Sequence, residues 1–320
     1  MLFRSISAGS IERPIIFGNN DTPGVVLASA AKEYLKLYGV LVGKKPIVFT
    51  NNDSAYETAI EFKKNGISPI ILDTRVNPDS EIISEAKAMN IDIRFSHVVI
   101  SAKGYKKVNS AEITTISKDK KDLGKIENIK CDCICVSGFW TPTIHLASQS
   151  GNKTEFNKEI DAFVPGKSKQ SETTLGSAKG VFTLEETLKT SFEAGYEISK
   201  KITNKSNKLA VPKVLEKKNT KHDKFWCVPL PKNKNYKRFI DFQNDVAVTD
   251  VELALREGYR SIEHVKRYTT LGMATDQGKT SNLNGLQLVS NIENKVVPSV
   301  GHTTFRSEER RVGKECPLLC

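Results

Sequence analysis

From Ile47 the sequence spells a β-α-β pattern, and this limits the fold of the chain more than any other feature. The apolar run IVFT ends at Thr50, the polar residues Asn51, Asn52, Asp53 and Ser54 make a turn, an amphipathic stretch reaches Asn65, and a second apolar run, Ile67 to Leu72, closes on Asp73. Two strands joined through a helix read as a parallel unit with a right-handed crossover. In a nucleotide-binding version of that unit, the turn after the first strand faces phosphate at the helix N-terminus. An acid ending the second strand takes the ribose hydroxyls. Asp73 lies about twenty residues beyond Asn51, the separation this geometry needs. The turn nevertheless lacks the G-x-G-x-x-G fingerprint. Asn52 and Asp53 put side chains where glycine lets pyrophosphate approach the backbone, which argues against close dinucleotide binding and leaves Asp53 or Ser54 as a plain helix cap. Arg75, next to the acid, blurs any choice between the two nicotinamide dinucleotides.

Two later segments carry related signals. The stretch IKCDCICVSGF reads as one strand leading into Trp140, Thr141 and Pro142. The small residues Gly176, Ser177 and Ala178, with Lys179 and Gly180, precede a helix that starts near Leu184. Small residues before a helix admit a cofactor backbone, and Thr183 is placed to cap the helix and offer its hydroxyl to a phosphate. The alternative is an ordinary capped helix. Further on, Phe239 to Gly285 reads as a compact unit with helices Thr249–Glu257 and Ser261–Thr269, facing Val251, Ala254 and Leu255 inward from the first and Ile262, Val265 and Tyr268 from the second. Arg267, Thr269, Thr270, Lys279, Thr280 and Ser281 gather cations and hydroxyls in and after the last turn of that second helix, a set suited to phosphate.

Composition narrows the classes. A length of 320 residues implies about two domains, and 38% hydrophobic with 27% charged residues is ordinary for a globular protein. No apolar run is long enough to span a membrane. The net charge of +11 is carried by one stretch: Lys200 to Arg238 holds 13 basic and 2 acidic residues, so the rest is balanced. Without interleaved aromatics for stacking, that stretch reads as a solvated connector rather than a nucleic-acid platform. Cys131, Cys133 and Cys135 alternate along a strand and read as packing, with no disulfide framework and no secretory signal, so a reducing cytoplasm is expected. His97, His145, His222, His264 and His302 are scattered and read as packing or surface; no Ser/His/Asp or paired-carboxylate set supports hydrolysis. The ends MLFRS and RSEERRVGKEC match translated sequencing adapters, so residues 1–5 and 306–320 are set aside and the natural segment is expected to run from about Ile6 to Phe305, open at both ends.

The segments SIERPIIFGNNDTPGVVLA, IVFTNNDSAYETA, VSGFWTPTIHLASQSG and FIDFQNDVAVTDVELALREGYRSIEHVKRYTTLGMATDQGKTSNLNG resemble the α subunit of heterotetrameric sarcosine oxidase. That resemblance implies an α/β fold with two dinucleotide-binding domains of the FAD/NAD(P)-binding, Rossmann-like class. A small helical iron–sulfur-like domain lacking its cysteines would follow. The implied division is 6–45 and 129–205 in the larger dinucleotide-binding domain, 46–125 inserted into it, 206–235 a lysine-rich linker, 236–285 helical, and 286–305 opening the next domain. Asp276, Ser281 and the neighbourhood of Phe242 and Asn244 align with the four cysteine positions of related iron–sulfur domains, so no cluster and no other metal is expected.

The resemblance further implies NAD in this subunit, FMN at the interface, FAD on the partner β subunit, tetrahydrofolate on a C-terminal domain outside this chain, and γ and δ subunits as further partners. The reaction would be oxidative demethylation of sarcosine to glycine, hydrogen peroxide and a one-carbon unit, either formaldehyde or methylenetetrahydrofolate. This chain alone would be inactive. Gly176, Ser177, Ala178, Val181 and Thr183 would approach the nicotinamide dinucleotide, and Arg267, Thr269, Thr270, Lys279 and Thr280 a flavin phosphate. The competing readings are a subunit of an opine, hydroxyproline or dimethylglycine dehydrogenase, and a scaffold that holds a nucleotide without reacting it.

Overall fold

The structure, a computed structural model, describes residues 3–203, 210–214 and 221–301. Its centre is a five-stranded parallel sheet. In chain order the elements are β1 (Val25–Leu27), α1 (Ala28–Tyr38), β2 (Pro46–Thr50), α2 (Tyr56–Lys64), β3 (Ile70–Asp73), α3 (Glu81–Ala88), β4 (Asp92–Phe95), an antiparallel set β5 (His97–Lys103), β6 (Ser110–Thr115) and β7 (Glu127–Lys130), and finally β8 (Cys133–Ser137). The parallel sheet runs β1-β8-β2-β3-β4, and β5-β6-β7 form a separate three-stranded sheet. All five residues of β2 and of β8 are buried, as expected for central parallel strands covered on both faces.

The two faces have distinct cores. One packs Ile47, Phe49, Leu72, Ile134 and Val136 with Ile15, Phe17 and the antiparallel strands. The other packs Val48, Ile71, Cys133 and Cys135 with the apolar faces of α1, α2 and α3. Alternation along β2 and β8 sends successive side chains to opposite cores. Cys131 lies in the first core and the Cys133 and Cys135 pair in the second, so the three cysteines do not share a face. Burial pushes the Cys131 thiol up to about 12.

Expectation and structure differ here in two respects. The stretch from Ile129 is not one strand: the Asp132 carboxylate accepts the backbone N–H groups of Lys44 and Lys45 at 2.8 and 2.7 Å, which breaks the run between β7 and β8. The sheet also extends beyond the span 46–125, because β1 and β8 come from the segments assigned to the larger domain and pair in parallel with the rest. The described residues separate into one unit of residues 12–139 with 221–301 and another of 3–11, 140–203 and 210–214.

In the second of these units, Arg4–Ile6 pairs in parallel with Glu172–Thr174, and Thr154–Asn157 forms a hairpin with Ala162–Pro165. A 3-10 turn, Gly176–Lys179, leads to the twenty-residue α4 (Leu184–Thr203). Glu185 and Glu186 in its first turn and Lys200 and Lys201 in its last complement the helix dipole.

In the first unit, α5 (Val248–Arg256) and α6 (Ile262–Thr269) match the two expected helices within a residue, and α7 (Asn282–Ile292) adds an unexpected third. Val251, Ala254, Leu255, Ile262 and Val265 are buried as expected. Tyr268 is not; it is 45% exposed and lies against the Tyr259 ring at 4.9 Å. Ser261 makes no side-chain cap on α6, whereas the Asp250 carboxylate accepts the N–H of Ala247 and so steadies the start of α5. Among the described residues no helix is long and apolar enough to cross a membrane.

Candidate functional site

Gly176, Ser177, Ala178, Val181 and Thr183 fall within one short stretch before α4. Gly176 and Gly180 both take left-handed backbone, at φ +62° and +86°, which favours glycine at each. Thr183 caps the helix as expected, its Oγ1 accepting the Glu186 N–H at 3.4 Å. Ser177, Val181 and Thr183 are half-buried, but Ala178 is completely buried and offers its side chain to the interior instead of to a ligand. The Gly180 and Val181 N–H groups are bonded within the turn, to Ser177 O and Gly176 O at 3.0 and 3.2 Å, so the groups left for a ligand are the Thr183 hydroxyl proton and the helix N-terminus, with Glu185 and Glu186 beside them.

The helical part brings the neighbourhood of Phe242 and Asn244 close to Asp276 and Ser281 through hydrogen bonds. Asp241 Oδ2 accepts the Gly272 N–H at 2.7 Å and faces the Ser281 hydroxyl at 3.5 Å, while Asn244 Nδ2 donates to Thr270 O at 2.8 Å. Gln243 Oε1 accepts from Thr275 Oγ1 at 2.8 Å and from the Asp276 N–H at 3.3 Å. Lys279 and Thr280 stand just before α7; Arg267 and Thr269 occupy the last turn of α6, and Thr270 is its left-handed C-cap at φ +62°. Arg267 and Lys279 are exposed. Asp276 Oδ1 accepts the Gly278 N–H at 3.0 Å and Oδ2 lies 3.5 Å from the Thr280 hydroxyl. Thr280 and Phe242 border a cavity of about 340 Å³ whose other walls include Pro14, Phe17, Val26 and Val136.

The third candidate, the turn after β2, differs most from expectation. Asp53 caps nothing: its carboxylate Oδ1 pairs with Arg75 Nη1 at 2.7 Å, and α2 starts without a side-chain cap. Asp73 is fully buried, taking Arg75 Nη2 at 2.7 Å, the Arg75 N–H at 2.9 Å and the Tyr56 hydroxyl at 2.7 Å. Its lone pairs are therefore committed within the protein. The asparagines are equally engaged: Asn52 Nδ2 donates to Ser137 Oγ at 3.0 Å and Asn52 Oδ1 accepts from Ser54 Oγ at 2.6 Å.

Residues 221–228, expected to be part of a solvated connector, lie along this turn. The Asp53 N–H donates to Lys221 O at 3.0 Å and the Asp223 N–H to Asn51 O at 2.9 Å. Asn51 Nδ2 reaches Asp223 O and Phe225 O at 2.8 and 3.2 Å. The segment then pairs with Ile16, whose N–H donates to Trp226 O and whose carbonyl accepts the Val228 N–H, both at 2.8 Å. Its docking buries Phe225, Trp226 and Val228, and the signal for it was the apolar run FWCV amid lysines.

The His222 ring stacks on Phe139 at 3.9 Å, and the Arg13 guanidinium lies over Trp226 at 4.1 Å. Burial, aided by the Arg13, Lys224 and Arg75 cations and opposed by Asp223, presses His222 from its ordinary 6.5 down to about 4. The unfolded chain therefore binds more protons in that interval, and stability falls as pH drops from about 6.5 to 4. His222→Phe, which keeps the ring stack without the titration, should show a shallower decline in melting temperature across that window than the unaltered chain. Equal declines would show that folding is not linked to this proton.

A family model described as the sarcosine oxidase A3 domain matches residues 235–312. The sarcosine oxidase subunit alpha of Rhizobium meliloti (strain 1021) is 36% identical over 304 residues, covering 94% of this chain and 29% of that protein. The subunit of the same name from Corynebacterium sp. (strain P-1) is 32% identical over 310 residues, covering 94% of this chain and 32% of its own length. Among solved structures, L-proline dehydrogenase from P. horikoshii shares the fold at a TM-score of 0.68 and 20% identity, over 95% of this chain and 56% of that one. The chain spans roughly a third of the length of the curated relatives it matches, and over that span it is similar to sarcosine oxidase α subunits.

Proposed function

We propose that this chain is part of an oxidoreductase subunit acting on a CH–NH bond through a flavin, with sarcosine as substrate. Glycine, hydrogen peroxide and a one-carbon unit, as formaldehyde or methylenetetrahydrofolate, are the products in this reading. The observation that carries it is the relationship to sarcosine oxidase α subunits across 94% of the chain. Because those relatives are about three times longer, the chemistry is assigned to the assembly and not to these residues. FAD on a β subunit oxidises the amine, FMN lies between subunits, tetrahydrofolate belongs to a domain beyond the matched span, γ and δ subunits complete the complex, and its setting is the cytoplasm.

Within this chain the residues bind and position. NAD is placed against Gly176, Ser177, Val181 and Thr183, with buried Ala178 setting the turn, since the turn after β2 has its donors and its acid engaged elsewhere. The phosphate of FMN is placed near Lys279 and Arg267, with Thr269, Thr270 and Thr280 as neighbouring hydroxyls. A flavin supplies the electron transfer. What the protein contributes is fixed positive charge, helix N-termini and exclusion of water.

The assembled complex should release peroxide on sarcosine while this chain alone releases none; turnover by the isolated chain would overturn the assignment of chemistry to partners. In the complete subunit, Ser177→Trp should abolish NAD retention while Ser54→Ala preserves it, read as nucleotide released on denaturation, and the reverse pattern would move the site to the turn after β2. Alanine at Lys279 or at Arg267 should reduce bound FMN about tenfold or more, because a charge-assisted hydrogen bond contributes roughly 1.5–3 kcal/mol. Full FMN content in both variants would eliminate the phosphate role.

A further inference from the structure

The geometry points to residues 221–228 as the built-in occupant of the turn after β2, a strap of the chain's own backbone lying where a parallel β-α-β unit would receive a dinucleotide. Such a ligand needs three things at this place: free backbone N–H groups for the pyrophosphate, a free carboxylate for the ribose, and open space above the strand ends. The strap and the groups beneath it take all three. The Asp53 N–H is held by Lys221 O, and the Asp73 carboxylate is held by Arg75 and Tyr56. Asn51, Asn52 and Asp53 fill the space that glycines would leave, each no more than 2% exposed.

The polar groups are saturated in the same way. Asp53 and Asp73 flank the single Arg75 guanidinium and take its donors. The strap adds to this network: the Lys221 N–H donates to Asp53 Oδ2 at 3.2 Å, and the strap's Asp223 carboxylate meets Lys120 Nζ at 3.3 Å. Its carbonyls meanwhile accept from Asn51 and from Arg75 Nη1, the latter at 3.1 Å. The strap's two ends are gripped differently, an antiparallel bridge at Asn52 and His222 and a parallel one at Ile16 and Cys227. Displacing it would break both bridges and unstack His222 from Phe139. The turn is thus barred to nucleotides, and its vacated function is mechanical: it anchors the chain that continues into the segment matching the sarcosine oxidase A3 domain.

This inference rests on the reading that NAD belongs near Gly176–Thr183, and hydrogen–deuterium exchange on the full chain tests the two separately. Without ligand, peptides covering 51–55 and 221–228 should exchange slowly. In Asn51→Ala, which removes two bonds to the strap, both should exchange about tenfold faster while the β3 peptide is unchanged, as expected for loss of roughly one net hydrogen bond's stabilisation. If that variant unfolds, seen as faster exchange in β3 as well, His222→Gly serves as the second probe of the same peptides. A large excess of ADP-ribose should leave 51–55 unaltered. The strap is overturned by any of three results: loop-like exchange of these peptides in the unaltered chain, no acceleration in the variant that folds, or slowing of 51–55 by ADP-ribose. Slowing or no slowing at 176–183 bears only on the NAD reading.

Discussion

The buried ion triad of Asp53, Arg75 and Asp73 is the constraint on which the surrounding architecture depends. A guanidinium 7% exposed between carboxylates 3% and 0% exposed loses most of its hydration on folding, and only short, multiple hydrogen bonds offset that loss. Arg75 makes such bonds to both acids, which hold it protonated despite its burial. Removing Arg75 would strand two buried carboxylates, typically a penalty of about 3–5 kcal/mol. The triad thereby fixes the end of β3 relative to the turn after β2, and the strap, the asparagine network and the Tyr56 hydroxyl are arranged around it.

The triad also explains how a dinucleotide-binding topology persists without the glycines that normally define it. In a binding unit, glycines keep side chains away so that a ligand supplies the anionic groups at the helix start. Here the Asp53 carboxylate goes to Arg75 and to the Lys221 N–H instead of to the helix N–H groups, and the place a ligand would take is filled by the chain. The parallel sheet beneath is indifferent to this exchange, because β2, β3 and β8 are held by apolar burial on both faces. The helical part is likewise held by side chains, with Asp241, Gln243 and Asn244 hydrogen-bonding across to the segment Thr270–Ser281.

Local periodicity made the β-α-β unit, α5 and α6 readable from sequence, because strand and helix burial repeat over a few residues and need no distant information. The start of α4 after Thr183 was readable for the same reason. The fate of Asp73 was not: its spacing from Asn51 suits a ribose acid, and only the folded geometry shows Arg75, two residues away, turning back onto it. The split of the Ile129 strand was hidden because Asp132 looks like one more alternating residue until its carboxylate is seen accepting two backbone N–H groups from Lys44 and Lys45. Tyr268 had the spacing of an inward residue, but α6 is short and its last turn projects past the packed face. The helix α7 escaped notice because Asn282, Asn284, Gln287 and Ser290 give it a polar sequence although it is buried.

The strap has a consequence for how the molecule is made. Asp53 and the Lys221 N–H that it meets are 168 residues apart, so the turn waits for its occupant through the synthesis of everything between them. At a translation rate of roughly 5–20 residues per second, that interval is on the order of ten to thirty seconds. During it the nascent sheet presents an open, hydrated turn carrying two acids and one arginine, and its closure pays a long-range chain-entropy cost. Segments that complete the sheet early, such as β8, can dock first; the strap then acts as the late step that commits the domain, making the order of emergence from the ribosome part of the design.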